Sequence, residues 1–377
     1  MIIRKGARPA TRWASLAAVG VLMLASAACG GDDSGGGSGD SGSGSTKKVG
    51  VILPDATTSP RWEATDRPNL KKAFDDAGIE SDIQNAGGDK AKFGTICDSM
   101  INSGVQVLMI VNLDSDSGSA CLKKAAAAGI KSIDYDRLTL GGGASYYVSF
   151  DNAKVGGLMG EGLTKCLDTE GKSKANIVFI NGDPTDNNAA LFKSGYAAQL
   201  KPKIDSGDYK LVGDQSGFWD ATKAGNAFEQ MYTENGGKID GVVAANDTMA
   251  GGIVARLAAN NLDGKVPVTG QDAIDEGLQR ILKGTQCMTV YKNTALEAKA
   301  ASDLAIDLIN GDTAKADALA NDTEKDTTTG KEVKSALIPP EAIYQDSVKK
   351  VISDGYTTAD KVCTGEYAAL CTKYGVQ

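Results

Sequence analysis

The chain has 377 residues, 41% of them hydrophobic and 6% aromatic, enough apolar material for a two-domain protein with a sizeable core. It carries no histidine, so Ser-His-Asp and Cys-His nucleophile pairs and histidine-ligated zinc are excluded together, while carboxylate chemistry and simple binding stay open. A formal net charge of −8 argues against nucleic acid or an anionic membrane surface as partner.

In chain order, residues 1–28 stand apart from any core. Arg4, Lys5, Arg8 and Arg12 form a positive start, and WASLAAVGVLMLASAA follows as an apolar stretch closing in small residues, the pattern of a secretory signal. It ends at Ser26-Ala27-Ala28-Cys29-Gly30, which resembles a bacterial lipobox and makes Cys29 the expected lipid-modified first residue of an exported chain. Residues 29–46, with GGDDSGGGSGDSGSGST, read as a flexible tether. The signal holds four of the 40 Lys+Arg and none of the 48 Asp+Glu, so the exported chain carries −12.

From Lys47 onward, short apolar runs alternate with longer helical patterns. VGVILP precedes NLKKAFDDAG, SDIQNAG precedes FGTICDSMINSG, VQVLMIV precedes ACLKKAAAAG, and IKSIDYD leads to YYVSFDN. The pattern restarts with KVGGLMGEGLTKCL before ANIVFI, LFKSGYAAQLKPKI before YKLVGDQ, and AGNAFEQMYTENG before DGVVAAND. VPVTGQD, CMTVYKN and the Ala-rich helix ALEAKAASDLAIDLING complete it. Such alternation predicts an α/β protein with parallel sheets covered on both faces, and the number of runs favours two smaller sheets over one large one.

Six cysteines remain in the exported chain: Cys97, Cys121, Cys166, Cys287, Cys363 and Cys371. An even number in an exported chain suggests disulfides, with fifteen pairings open. Cys363 and Cys371 are close enough in sequence to staple the tail, Cys97 and Cys121 sit on successive predicted helices, and elimination alone leaves Cys166 with Cys287. None has metal-ligand spacing, and no metal or cofactor is expected. The late segment KADALANDTEKDTTTGKEVK reads as a solvated surface loop, since its acidic residues do not fit a calcium-loop spacing. GKS at Gly171–Ser173 lacks the first glycine of a phosphate loop and precedes a strand, so it is set aside.

In open parallel sheets, ligands bind beyond the carboxyl ends of the strands. Those ends carry Arg61-Trp62, Asp136-Arg137, Asp186-Asn187-Asn188, Trp219, Asn246-Asp247, Gln271-Asp272 and Lys292. The set suits a sugar: carboxylates accept from adjacent hydroxyls, Arg and Lys donate to hydroxyl or ring oxygens, Asn does both, and Trp offers a flat face to a pyranose. Each alone is better read as a helix cap or a surface ion pair; their recurrence at one edge is the signal. GDPTDNNAA in particular suits a helix start.

The stretches RWEATDR, YDR, SFDNAKVG, GDPTDNNAALFKSG, KPKIDSG, VVAANDTMAGG, GQDA and GTQCMTVYK, in this order, resemble the pentose/hexose periplasmic-binding proteins of ABC importers, their xylose-binding branch above all. The resemblance runs from about Lys47 to Gly355 and implies the type 1 periplasmic-binding fold: two Rossmann-like lobes joined by a three-segment hinge. The implied lobes are 47–149 plus 293–337 and 150–292 plus 338–377. The implied polar sugar contacts are Arg61, Arg137, Asp186, Asn188, Asn246, Asp272 and Lys292, with Trp62 and Trp219 stacking from opposite lobes and Asp136 holding Arg137 in place. The implied ligand is D-xylose or a related aldopyranose, glucose being the alternative, and the partner an ABC transporter permease. The protein would act as a monomer at the outer face of the membrane, held only by its lipid. A sugar-sensing receptor for chemotaxis or a sensor kinase is the alternative partnership. The chain departs from the pattern at the lipobox, the 323–334 insertion, the cysteines, QSGFWD beside Trp219, and the tail. An enzyme is not expected, because cations facing these carboxylates would lower the pKa that a general acid needs raised.

Overall fold

The computed structural model describes residues 47–376; Cys29, the signal and the tether lie outside them. The first half of the chain lays down β1 (Lys48–Leu53), α1 (Arg67–Asp76), β2 (Glu80–Asn85), α2 (Lys90–Asn102), β3 (Val107–Ile110), α3 (Ser115–Ala127), β4 (Lys131–Tyr135) and β5 (Tyr146–Phe150). A π-helical turn, Trp62–Asp66, leads directly into α1. Next come α4 (Asn152–Thr169), β6 (Ala175–Asn181), α5 (Asn187–Asp205), β7 (Tyr209–Ser216), α6 (Ala221–Glu234), β8 (Gly241–Ala244), α7 (Asp247–Ala259), α8 (Asp275–Lys283) and β9 (Thr289–Tyr291). The chain closes with α9 (Thr294–Ile309), α10 (Thr313–Leu319), β10 (Asp322–Lys325), β11 (Glu332–Ile338), β12 (Glu341–Ile343), α11 (Val348–Ser353), α12 (Ala359–Val362) and α13 (Tyr367–Tyr374).

Two sheets result. The first has the order β10-β11-β5-β4-β3-β1-β2 and is parallel except for the β10–β11 pair. The second has β7-β6-β8, all parallel, and extends through single bridges at Val242–Val268 and Gln271–Val290 toward the β9–β12 pair. VPVTGQD therefore forms only isolated bridges and not the regular strand its composition suggests. Strands β3 and β8 are wholly buried, as parallel strands covered by helices on both faces must be. The core of the first lobe fills both sides of its sheet, with Phe74 and Leu304 on one side and Phe93 and Met100 on the other. That of the second gathers around Phe179, Phe192, Tyr196 and Phe228.

The chain crosses between the sheets three times. β5 hands over to α4, which packs on α5; β9 hands over to α9, which packs on α1; and β11, paired with β5, is followed by β12, paired with β9. Disulfides join Cys97 to Cys121, Cys166 to Cys287 and Cys363 to Cys371.

The late polar segment is not a loop. It builds α10 and the β10–β11 hairpin, whose inner strand pairs with β5 from Ser335 to Ile338. Its turn is tied by Asp326, whose Oδ2 accepts from Gly141 N at 2.9 Å and whose Oδ1 accepts from Thr328 N at 2.9 Å. The outer strand DTEK is largely exposed, and charged side chains on an edge strand guard it against pairing with another chain. Such a strand lacks the apolar alternation that marks a strand in sequence.

Candidate functional site

An Asp or Asn N-cap ends many of the strand-to-helix turns, with side chains accepting backbone N–H groups at Asp89, Asp114, Asp151, Asp186, Asp220, Asn246 and Asn293. Parallel strands thus deliver polar side chains to their carboxyl edges for local reasons alone. At the cleft between the lobes two of these caps are also used for something else.

The cleft holds a small, partly open cavity lined by Arg61, Trp62, Asp136, Arg137, Asp186, Asn188, Trp219, Asn246, Asp272 and Lys292, together with Thr58, Ser59, Phe192 and Gln271. The ten site residues that the resemblance implies all reach it, whereas Asn187 and Asp247, also named at the strand ends, do not line it. Missed were Ser59 and Thr58, two short hydroxyl residues just ahead of Arg61, and Phe192, hidden in the apolar spacing of α5. Gln271 was visible beside Asp272 as a strand-end residue.

The polar side chains meet across the cleft. Arg137 Nε pairs with Asp186 Oδ2 at 3.0 Å, and Ser59 Oγ donates to Asp272 Oδ2 at 3.0 Å. Asn188 Nδ2 donates to the backbone oxygen of Asp136 at 2.9 Å, and Asn246 Nδ2 to that of Thr58 at 3.3 Å. Lys292, on the second crossing, lies 3.2 Å from Asp272 Oδ1 and 3.7 Å from Asp136 Oδ2. Asp186 also caps α5, its Oδ1 accepting from Asn188 N at 2.9 Å, so the turn both starts a helix and faces the cleft. Asn188 is held from behind by Asn152 Nδ2 at 3.0 Å.

Asp136 does not hold Arg137. Its Oδ2 takes Arg61 Nη1 at 2.7 Å, while Arg137 turns to Asp186 and to the backbone oxygen of Asn112 at 3.2 Å. Adjacent residues send their side chains apart here, and Asp136 has a left-handed backbone with φ of 63°. Trp219 (φ 58°) and Asp272 (φ 94°) share that region. Three cavity residues in a conformation that costs a non-glycine residue about 1–3 kcal/mol mark a site whose geometry the surrounding packing enforces. For Asp272 the enforcing group is Asp247, whose backbone N–H donates to Gln271 O at 2.9 Å and whose carboxylate takes Gln286 Nε2 at 2.6 Å and Thr289 Oγ1 at 3.0 Å.

The two tryptophans stand on different lobes. Trp62 lies under the guanidinium of Arg61, 4.5 Å from ring to Cζ, with that of Arg137 at 5.6 Å. Trp219 meets Phe192 edge to face at 6.2 Å and presses on Gly182, where any Cβ would come within 2.0 Å of the indole. Trp219 Nε1 and Gln271 Oε1 are buried without a hydrogen-bond partner in the protein. Unpaired polar atoms on a cavity wall are costly unless a ligand supplies partners.

Burial works to raise the Asp136 carboxyl, but Lys292, Arg61 and Arg137 outweigh it and hold the group below its ordinary value. Asp186 goes the other way: burial raises it, and Arg137 and the Asn188 N–H only partly offset this. The expectation that cations lower the site carboxyls therefore fails at Asp186, where desolvation is the larger effect. Among the described residues no cluster of side chains has the makings of a metal site, and no helix is long and apolar enough to cross a membrane.

Residues 49–313 match the model of the periplasmic binding protein domain. The chain is 38% identical over 311 residues to the D-xylose-binding periplasmic protein of Escherichia coli, covering 82% of this chain and 90% of that one. It is 33% identical over 332 residues to the multiple sugar-binding periplasmic receptor ChvE of Rhizobium radiobacter, covering 83% and 92%. Among solved structures, an ABC transporter solute binding protein from Clostridium phytofermentans with bound β-D-glucose superposes with a TM-score of 0.75 at 30% identity, over 84% of this chain and 100% of that one. With its two sheets, three crossings and cleft, the chain belongs to the periplasmic binding proteins.

Proposed function

We propose that this protein captures one monosaccharide, a xylose-type aldopyranose, outside the cytoplasm and hands it to an ABC transporter permease. The observation that carries this reading is the composition of the cleft: Asp136, Asp186 and Asp272, three cations and three amides converge between Trp62 and Trp219. Carboxylates and cations bind hydroxyl patterns by charge-assisted hydrogen bonds, and a wrong stereocentre leaves a buried charge unpaired. The tryptophans supply flat apolar faces for the C–H side of a pyranose. The names of the E. coli and C. phytofermentans relatives support a pentose or hexose of this kind.

In this reading the moving bodies are 47–149 with 293–337, and 150–292 with 338–377. Sugar meets one lobe, the other swings in by a hinge motion at the three crossings, and the cleft expels water. Lipid on Cys29 would keep the carrier beside the permease through the 29–46 tether. No bond to the sugar is made or broken: Asp186 is committed to Arg137 and to the helix cap, and Asp136 is held ionised between cations.

Calorimetric titration of the protein with D-xylose, D-glucose, D-ribose, L-arabinose and D-galactose tests this. Saturable heat with D-xylose is expected, and silence toward all five would overturn it.

A further inference from the structure

Behind the cavity lies a buried acidic group that the sugar contacts leave unused. Glu297, in the first turn of α9 just after the second crossing, is 0% exposed. Its Oε2 accepts from Arg61 Nη2, a contact spanning 236 residues of sequence. Arg61 also grips Asp66 with two bonds, Nε to Oδ2 at 2.9 Å and Nη2 to Oδ1 at 2.7 Å, and gives Nη1 to Asp136 at 2.7 Å. A guanidinium has five N–H groups. Four are engaged here, and the remaining one is on Nη1, the nitrogen that also bonds the cavity-lining Asp136.

The cluster is crowded with negative charge. Asp66, Asp136 and Glu297 surround Arg61, with Lys292 the next cation and the Tyr135 hydroxyl donating to Asp66 Oδ1. Three carboxylates on one guanidinium are an excess that one proton relieves. Glu297 is raised well above its ordinary value: burial dominates, Arg61 opposes it, and Asp136 and Asp66 add to the rise.

We propose that Glu297 is a positioning residue for the sugar site, clamping Arg61 from the hinge helix so that its one uncommitted N–H is presented to the ligand. This rests on the sugar-binding reading above. What Arg61 needs from Glu297 is an acceptor oxygen at that position, so an amide of the same shape serves equally well.

The test is D-xylose titration of the wild type, Glu297→Gln and Glu297→Ala, with thermal unfolding of each. Glu297→Gln should keep affinity within about threefold, and Glu297→Ala should weaken it about tenfold or more. Wild-type affinity in Glu297→Ala overturns the inference, as does a Gln variant as weak as the Ala variant, which would mean that the charge is needed. If the Ala variant does not fold, Glu297→Asp replaces it: withdrawing the carboxyl by one methylene should weaken binding where Gln does not, and the reverse order refutes the proposal. A wild type silent toward every aldose removes the sugar reading itself, an outcome distinct from a binding wild type with indifferent variants.

Discussion

Asp186→Ala separates the two duties of the opening turn of α5. The side chain caps the helix through Asn188 N at 2.9 Å and pairs with Arg137 across the cleft at 3.0 Å. Losing an Asp cap costs about 1 kcal/mol, or roughly 2–4 °C of melting temperature for a lobe of this size. Losing the partner of a buried cation costs about 1.5–3 kcal/mol, which reads as roughly ten- to 150-fold in affinity for a sugar held by both groups. Calorimetric titration with D-xylose and a thermal scan measure the two separately. Asp89→Ala is the control: it removes a comparable cap, accepting from Ala91 N at 2.8 Å, from a residue that does not line the cavity. It should lose stability and keep affinity. An Asp186→Ala protein that binds as the wild type does would refute the site, and equal affinity losses in both variants would reduce the turn to capping alone.

Gly182→Ala should weaken sugar binding with the sheet intact, because its Cβ would meet the Trp219 ring at 2.0 Å and displace the indole; D-xylose titration with circular dichroism checks this. Asp134, buried beside Thr139, is raised to about 7 by desolvation that its two Thr139 hydrogen bonds do not offset. The folded state therefore holds a proton there that the unfolded chain has lost above about pH 4, so this group's stabilisation is complete below that pH and disappears as pH rises through about 7. Asp134→Asn should flatten the decline in melting temperature between pH 5 and pH 8 relative to wild type. Replacing both cysteines of one disulfide by alanine should cost most for Cys166–Cys287, whose sequence separation is 121, and least for Cys363–Cys371, whose separation is 8. Loop-closure entropy puts the losses at about 5 and about 2.5 kcal/mol, which denaturant titration would rank.

The parallel strands were legible because burial on both faces leaves continuous apolar runs such as ANIVFI, and the cavity residues because strand ends in this fold converge. What sequence did not reveal follows from that same rule. β10 and β11 escaped because their charged outer edge has no apolar alternation, and VPVTGQD looked like a strand although only Val268 and Gln271 bridge. Asp136 was assigned to its sequence neighbour Arg137, yet the left-handed turn sends it to Arg61. Glu297 gave no signal, being one of three acidic residues in an Ala-rich helix, and its meaning depends on a partner 236 positions away.

The chain has three tryptophans, and of these Trp13 lies outside the described residues while Trp62 and Trp219 line the cavity. Both tryptophans of the described residues therefore report on the cleft, and a fluorescence titration with D-xylose measures the central claim directly. The account predicts a saturable change in emission that fails to appear in Asp186→Ala at the same sugar concentrations. Emission indifferent to D-xylose and to the other four aldoses would contradict it.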